Sequence, residues 1–530
     1  MNEETKKSLP EDILKYIESL ESKNDILKNK NTVLEETNEY LLEKLKLALF
    51  RKYGKSSEKD NPDQILLFED ETNDTNPDEE PDTEERITVP SHTRKKAGRK
   101  KLDDSLPREE IIHDISEEEK KCACGCDLVK IGEDVREKLN VIPEQIYVER
   151  HIYPKYACRN CEGSSDEDKK AVRKAETEKS IIPGSIVTPG LLAFIITNKF
   201  CDHMPFYRQE KRFERIGVRI SRQDMVNWNN KSYEKLLPLK KLFKKKILEG
   251  NAIQMDETTV QVLNEDGKSS SSKSYMWLAM GVNSSKPLIY YEYHPTRHAE
   301  YVKDFLYGFE GYLQTDGYKG YDSALKGNDK IVHVGCLAHA RRKFFEASKV
   351  SKKAGSSHEA LKMINQFYSI ENKLREEKLS EDGFLEKRKE LIKPVMEKFK
   401  KWLDKKVLVI RESSKTGEAV KYTLSQWDKI MKYTECASLT PDNNACENAI
   451  RPFVLGRKNW LFSVSTKGAE SSCFMYSLIE TAKQNGLNPY GYLYHIFKEV
   501  PSFEDEKDFE KLLPWNLIKD NINKLSLPCA

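Results

Sequence analysis

An α/β layer built on a mixed sheet, carried within a chain of several domains, is the fold class that the sequence predicts. Three observations lead there. The β-rich runs AIQMDETTVQVL, YMWLAMGVN and PLIYYEYH follow one another from residue 252 to 294, separated by the turn-forming DGKSSSSK and SSKP. A helical stretch, about Ala299 to Phe309, then leads to a strand in GYLQTDGYKGY and another in KIVHVGCL. Residues 339–435 read as almost wholly helical and charged, after which a helix, the strand-like WLFSVS and a second helix fill 440–485.

Composition bounds the rest. At roughly 150 residues per domain, 530 residues make three or four domains. Hydrophobic residues are 38% and charged residues 33%, with a mean hydropathy of −0.72. The longest apolar run, near Leu191 to Thr197, falls far short of the ~18 residues that a membrane helix needs. The N-terminus MNEETKKSLP has no apolar core of a signal peptide, so a cytoplasmic protein is expected. In that compartment eleven cysteines are thiols or metal ligands rather than a disulfide framework.

Residues 1–53 carry a leucine-zipper pattern. Ile13, Leu20, Leu27, Leu34 and Leu41 recur every seven residues, with Ile17, Asn24, Asn31, Asn38 and Leu45 at the second seam position. Leu at one core position and Asn at the other favours a parallel two-stranded coil, because a buried Asn pairs with its twin and fixes register. Residues 54–108 read as a linker. Its acidic block, Glu69 to Glu85, has no Lys or Arg, and its basic block comprises Arg94, Lys95, Lys96, Arg99, Lys100 and Lys101 around Gly98. Like-charge blocks are ordinarily solvated, while a basic cluster beside glycine also suits a phosphate backbone.

Residues 109–165 hold five cysteines in two knuckles, Cys122, Cys124 and Cys126 in CACGCDL and Cys158 and Cys161 in YACRNCEG. Knuckles about 30 residues apart suit one tetrahedral Zn²⁺, bound by four of the five. The second has Cys-x-x-Cys spacing; the first offers only Cys-x-Cys or Cys-x-x-x-Cys, which leaves the choice between Cys124 and Cys126 open. Residues 180–249 read as helical, with Pro189 starting one helix and Ser221 capping another in GVRISRQDMVNW. Two helices joined through a glycine turn, with Ser, Arg and Gln opening the second, resemble a DNA-contacting helix-turn-helix, a pattern that any small helical bundle shares. The run Lys240, Lys241, Lys244, Lys245, Lys246 reads as a solvated helix face.

The candidate catalytic groups are carboxylates. Strands are depleted in Asp, and a buried ionised carboxylate is costly unless paired or metal-bound, which singles out Asp256 in IQMDETT. Asp316 in LQTDGYKGY lies at a strand end, where Asp-Gly is also a hairpin turn signal. Glu447 in DNNACENAIRP could equally form an exposed pair with Arg451. Three carboxylates gathered at one sheet edge repel unless cations hold them ionised, an arrangement that suits two Mg²⁺ ions on a phosphodiester. Cys336 and His339 in CLAHARR are half a metal site with no clear second half, and are read as structural. GKS occurs at Gly54 and Gly267, each without the upstream glycine of a nucleotide-binding P-loop.

These residues carry a family resemblance. In MDETTVQVL, LQTDGYKGYDSAL, GCLAHARRKFF, NNACENAIRPFVLGRKNWLFSVSTKGAESS, SLIETAKQNGLNPYGYL and LLPWN, and upstream in FRKYGKSSEK and RHIYPKYACRNCE, the chain resembles the IS66-type transposases, DDE enzymes of bacterial insertion sequences. The resemblance spans nearly the whole chain. It implies an RNase H-like catalytic domain in two parts, 250–338 and 436–486, interrupted by a helical insertion, 339–435, and followed by a tail, 487–530. It makes Asp256, Asp316 and Glu447 the catalytic triad for Mg²⁺-dependent strand cleavage and transfer. The implied partners are terminal inverted repeats and target DNA, a second or further copy of the chain, and accessory proteins of the same element. The first knuckle departs from the family pattern, with Lys121 where its first cysteine belongs. A nuclease that cuts without joining and a non-catalytic DNA-binding dimer are the rival expectations.

Overall fold

A computed structural model describes residues 11–53, 146–157, 172–282, 285–350 and 355–524. The linker with its two charge blocks and all five knuckle cysteines lie outside the described residues. Helix α1 (Glu11–Tyr53) runs 43 residues without Gly or Pro. Ile13, Leu20, Leu27, Leu34, Leu41 and Leu45 are exposed along it, as are Asn24, Asn31 and Asn38. Its C-terminal part is anchored: Leu47 is buried, and the Lys415 backbone N–H donates to Glu43 Oε2 at 3.1 Å. The chain divides into two units, 72–177 and the remainder. In the smaller unit, β1 (Lys155–Ala157) and β2 (Val172–Lys174) pair antiparallel, Tyr156 opposite Arg173.

Four helices precede the main sheet: α2 (Pro189–Phe200), α3 (Phe206–Arg215), α4 (Arg222–Lys235) and α5 (Leu237–Leu248). Pro189 opens α2 with Thr188 as its cap, and Ser221 with Asp224 forms a reciprocal capping box on α4. Gly217, at φ +80°, makes the turn between α3 and α4. On α4, Arg222, Gln223 and Asn227 are exposed while Met225, Trp228 and Tyr233 are buried. These helices bury their apolar faces in the same core as the sheet.

That sheet begins as an antiparallel meander of β3 (Ala252–Asn264), β4 (Lys273–Gly281) and β5 (Leu288–His294). Helix α6 (Ala299–Phe305) is shorter than the sequence pattern predicts, ending before Gly308 at φ +81°. It crosses to β6 (Gly311–Gln314), and α7 (Lys319–Leu325) crosses to β7 (Ile331–Val334). Such crossovers allow parallel pairing: β6 is parallel to β3 and β7 to β6, giving the order β5-β4-β3-β6-β7.

The expected helical insertion follows as α8 (Leu337–Val350), α9 (Ser356–Glu376), α10 (Glu381–Val409) and α11 (Lys415–Met431). It has its own core, in which Phe344, Phe367, Phe399 and Trp427 meet. The fully buried Arg388 donates to both carboxylate oxygens of Glu371, at 3.1 and 2.5 Å, and to the backbone carbonyls of Tyr433, Cys436 and Leu439 at 2.8 to 3.0 Å. The chain leaves and rejoins the sheet at one place: Gly335 N–H donates to Lys429 O and Leu337 N–H to Pro441 O, at 3.0 and 2.9 Å. Helix α12 (Asn444–Trp460), β8 (Ser463–Ser465) parallel to the far end of β3, α13 (Thr466–Gln484), α14 (Pro489–Glu499) and α15 (Lys519–Lys524) complete the described chain.

Candidate active site

Register brings the two aspartates together. The last pair of the β3–β6 ladder is Gln254 opposite Gln314. Each strand then reads Gln-x-Asp, so Asp256 and Asp316 stand two residues beyond paired glutamines. Side chains alternate across a strand, so along β3 Asp256 shares a face with Gln254. Beneath them, Gln254 Nε2 donates to Gln314 Oε1 at 2.7 Å and to Asp442 O at 3.3 Å, and Gln314 Nε2 donates to Thr440 O at 2.9 Å. Asn443 Nδ2 donates to Met255 O at 3.2 Å. These bonds tie the segment before α12 to both strands and deliver Glu447, in the first turn of α12, where the helix dipole favours a negative charge.

Asp316 is not in a hairpin. Tyr318 N–H donates to its Oδ1 at 3.0 Å and the chain enters α7. A Cβ on Gly317 would lie 2.7 Å from the Tyr422 hydroxyl, so the insertion packs against this loop. Glu447 pairs with the insertion: Arg342 on α8 donates to its Oε2 at 3.2 Å.

Burial raises the Asp256 carboxyl well above its ordinary range, with Glu257, Glu447 and Asp316 adding repulsion against one Glu257 N–H bond of 2.8 Å. Burial also raises Glu447, opposed by Arg342, and Glu447 Oε1 is buried without a hydrogen bond. The neighbouring Glu257 is bound elsewhere, to Arg297 and, at 2.6 Å, to the Tyr321 hydroxyl, and Arg297 lies 3.6 Å over the Tyr318 ring. A buried, under-compensated set of oxygen donors fits a hard divalent cation.

One prediction follows from this repulsion. Without divalent metal, Asp256→Asn should melt above wild type, by about 2–4 °C for each kcal/mol relieved. A carboxyl raised by folding stabilises the fold while protonated and loses that contribution as pH rises through its folded pKa. The advantage of the variant should therefore be present at neutral pH, shrink on acidification, and shrink when Mg²⁺ is added. Melting curves in EDTA with no such difference would remove the repulsion argument.

Sequence reasoning missed several neighbours. Cys336, His339 and Glu447 place ligand atoms within 4.8 Å of one another, so the Cys-x-x-His pair read as structural faces the carboxylate over a hundred residues later. Cys336 Sγ accepts from Asn443 N–H at 3.3 Å. Burial, then Arg342, lowers His339 to about 4, leaving the ring neutral at neutral pH. The repeated Gln-x-Asp was the available signal for Gln254 and Gln314.

Family profiles match most of the chain. The profile described as "Transposase IS66 family" matches residues 184–471, and "IS66 C-terminal element" matches 477–515. "Zinc-finger binding domain of transposase IS66" matches 119–162, covering all five knuckle cysteines, and "Transposase C of IS166 homeodomain" matches 40–111. Among similar chains, "Uncharacterized protein y4hP" of Sinorhizobium fredii (strain NBRC 101917 / NGR234) is 29% identical over 448 residues, 81% of this chain and 78% of that one. "Uncharacterized protein y4qI" of the same strain is 30% identical over 427 residues, 78% of this chain and 77% of that one.

Proposed function

Because the chain belongs to the IS66 transposase family, we propose that it is the DNA transposase of a bacterial insertion sequence, acting through an RNase H-like domain with Asp256, Asp316 and Glu447 as its triad. The observation that carries the reading is the shared register of two Gln-x-Asp strands with Glu447 brought beside them. The strand order, three antiparallel and then two parallel, supports the RNase H-like assignment.

In the proposed reaction, water attacks a phosphodiester at the element's end, the P–O3′ bond breaks, and a 3′-OH is freed. That hydroxyl then attacks a target phosphodiester, forming one P–O bond as another breaks. The second step exchanges bonds one for one, so no nucleotide hydrolysis is required. Two Mg²⁺ ions held by the three carboxylates would supply activation of the entering oxygen and stabilisation of the leaving one. The protein's own part is positional: the glutamine pair fixes the two strand carboxylates, Arg342 orients Glu447, and the Arg297–Tyr321 clamp holds Glu257 aside.

For recognition of terminal inverted repeats, the reading assigns the exposed start of α4, with Arg222 and Gln223, and the basic block Arg94 to Lys101. One structural Zn²⁺ is assigned to Cys122, Cys158, Cys161 and either Cys124 or Cys126. Accessory proteins of the same element complete the partners.

Self-association is assigned to α1, whose heptad stripe is exposed. Light scattering should give a dimer or larger species for the full chain and a lower mass for a chain beginning at Asn61. An unchanged mass would remove the zipper from the proposal. The function itself is tested by strand transfer on labelled terminal repeats with Mg²⁺. Joined products support it, cleavage without joining favours a nuclease, and binding without reaction, with accessory partners supplied, favours a scaffold.

A further inference from the structure

Cys336 and His339 stand three residues apart at the start of α8, and Glu447 faces them from α12. Two buried atoms there, His339 Nδ1 and Glu447 Oε1, have no hydrogen-bond partner, yet they stand 3.7 Å apart. That separation is too long for a hydrogen bond. It is close to one edge of a tetrahedral zinc site, about 3.3 Å for metal–ligand bonds of ~2.0–2.1 Å. Cys336 Sγ is already oriented by the Asn443 N–H, the kind of outer contact that fixes a ligating sulfur.

We propose that Cys336, His339 and Glu447 bind one Zn²⁺, at a site separate from the cysteine knuckles. The donor set decides the ion. Thiolate and imidazole select a borderline-soft cation, whereas Mg²⁺ prefers oxygen alone. Binding expels the thiol proton to solvent, and the ligand atoms, within 4.8 Å of one another, close by about 1 Å through rotation of the His339 and Glu447 side chains. Three protein ligands leave a fourth position for water. The ion would hold Glu447 Oε1, while Oε2, which accepts from Arg342, keeps a second lone pair for the carboxylate centre. The proposal shares Glu447 with the triad and does not require the triad to be catalytic.

The test is zinc content of the full-length protein, purified with zinc and desalted, beside Cys336→Ser and His339→Gln. Wild type should carry about one zinc more per chain than either variant, whatever the knuckles hold. In Co²⁺-substituted protein, the thiolate-to-cobalt absorption should weaken in Cys336→Ser. Asp256→Asn and Asp316→Asn should keep the wild-type zinc content, so loss of strand joining in those variants bears on the triad alone. Equal zinc in wild type and both site variants would overturn the proposal. So would an equal drop in Asp316→Asn, which would put the ion in the carboxylate centre. His339 is partly exposed and accepts Gln without a cavity, so its variant decides the matter even where Cys336→Ser folds poorly by circular dichroism.

Discussion

Asp256→Asn, Asp316→Asn and Glu447→Gln should each lower strand cleavage and strand joining by on the order of 10³-fold while terminal-repeat binding stays near wild type. Each substitution keeps the shape of the side chain and removes one carboxylate oxygen from the set assigned to divalent metal. Metal-derived stabilisation of the entering and leaving oxygens amounts to several kcal/mol, and 1.36 kcal/mol is about tenfold in rate. Both reactions should fall together, since one centre is assigned to both. Ca²⁺, looser in its coordination than Mg²⁺, should support binding better than chemistry. Joining at wild-type levels in Asp316→Asn, measured beside binding on the same labelled DNA, would end the triad assignment.

Arg388→Met should be the most destabilising single substitution in the helical insertion, costing about 3–5 kcal/mol. That corresponds to a fall of roughly 10 °C in the melting temperature. Arg388 is fully buried and satisfies Glu371 together with the carbonyls of Tyr433, Cys436 and Leu439. Its removal leaves the buried Glu371 carboxylate to Arg375, which reaches it from a partly exposed position at 2.9 Å, and takes a donor from three carbonyls. Replacing both partners, as in Arg388→Met with Glu371→Leu, should recover much of the loss, because an apolar pair carries no unpaired charge. A loss under about 1 kcal/mol for Arg388→Met in urea titration would contradict the assignment. The three carbonyls lie just before the segment that delivers Glu447, so the single variant should also weaken strand transfer beyond its effect on folding.

Much of this was legible in the sequence, because period and punctuation carry it. The three strands of the meander, the first crossover helix and the helix start at Ser221 were marked by apolar alternation, turn residues and a capping pattern, whereas the start of α7 was read into the strand GYLQTDGYKGY, which ends at Gln314. Asp256 was marked by a carboxylate placed in an apolar strand. Less visible was what depends on pairing between distant strands. Gln254 and Gln314 are ordinary polar residues until the β3–β6 register sets them side by side. Cys336 and His339 lacked a second half because their carboxylate arrives only after the insertion. The Glu371–Arg388 pair lies on two different charged helices, where neither residue departs from a solvated pattern.

The meeting of the insertion's two ends, at Gly335 with Lys429 and Leu337 with Pro441, has a consequence for inheritance. A segment whose ends already touch behaves as a closed loop, and doubling the length of a flexible loop costs only about 0.6 kcal/mol of closure entropy. Insertions and deletions at its outer turns, such as the one around Lys378 or the one at 411–414, should therefore leave the sheet and its carboxylates in place. Relatives of this chain can then lengthen or shorten those outer turns by in-frame steps, so long as the two meeting points and the α8 side chains that reach Glu447 are kept. The same change made within Gln254–Asp256 or Gln314–Asp316 would shift a strand by one residue and turn its carboxylate to the opposite face.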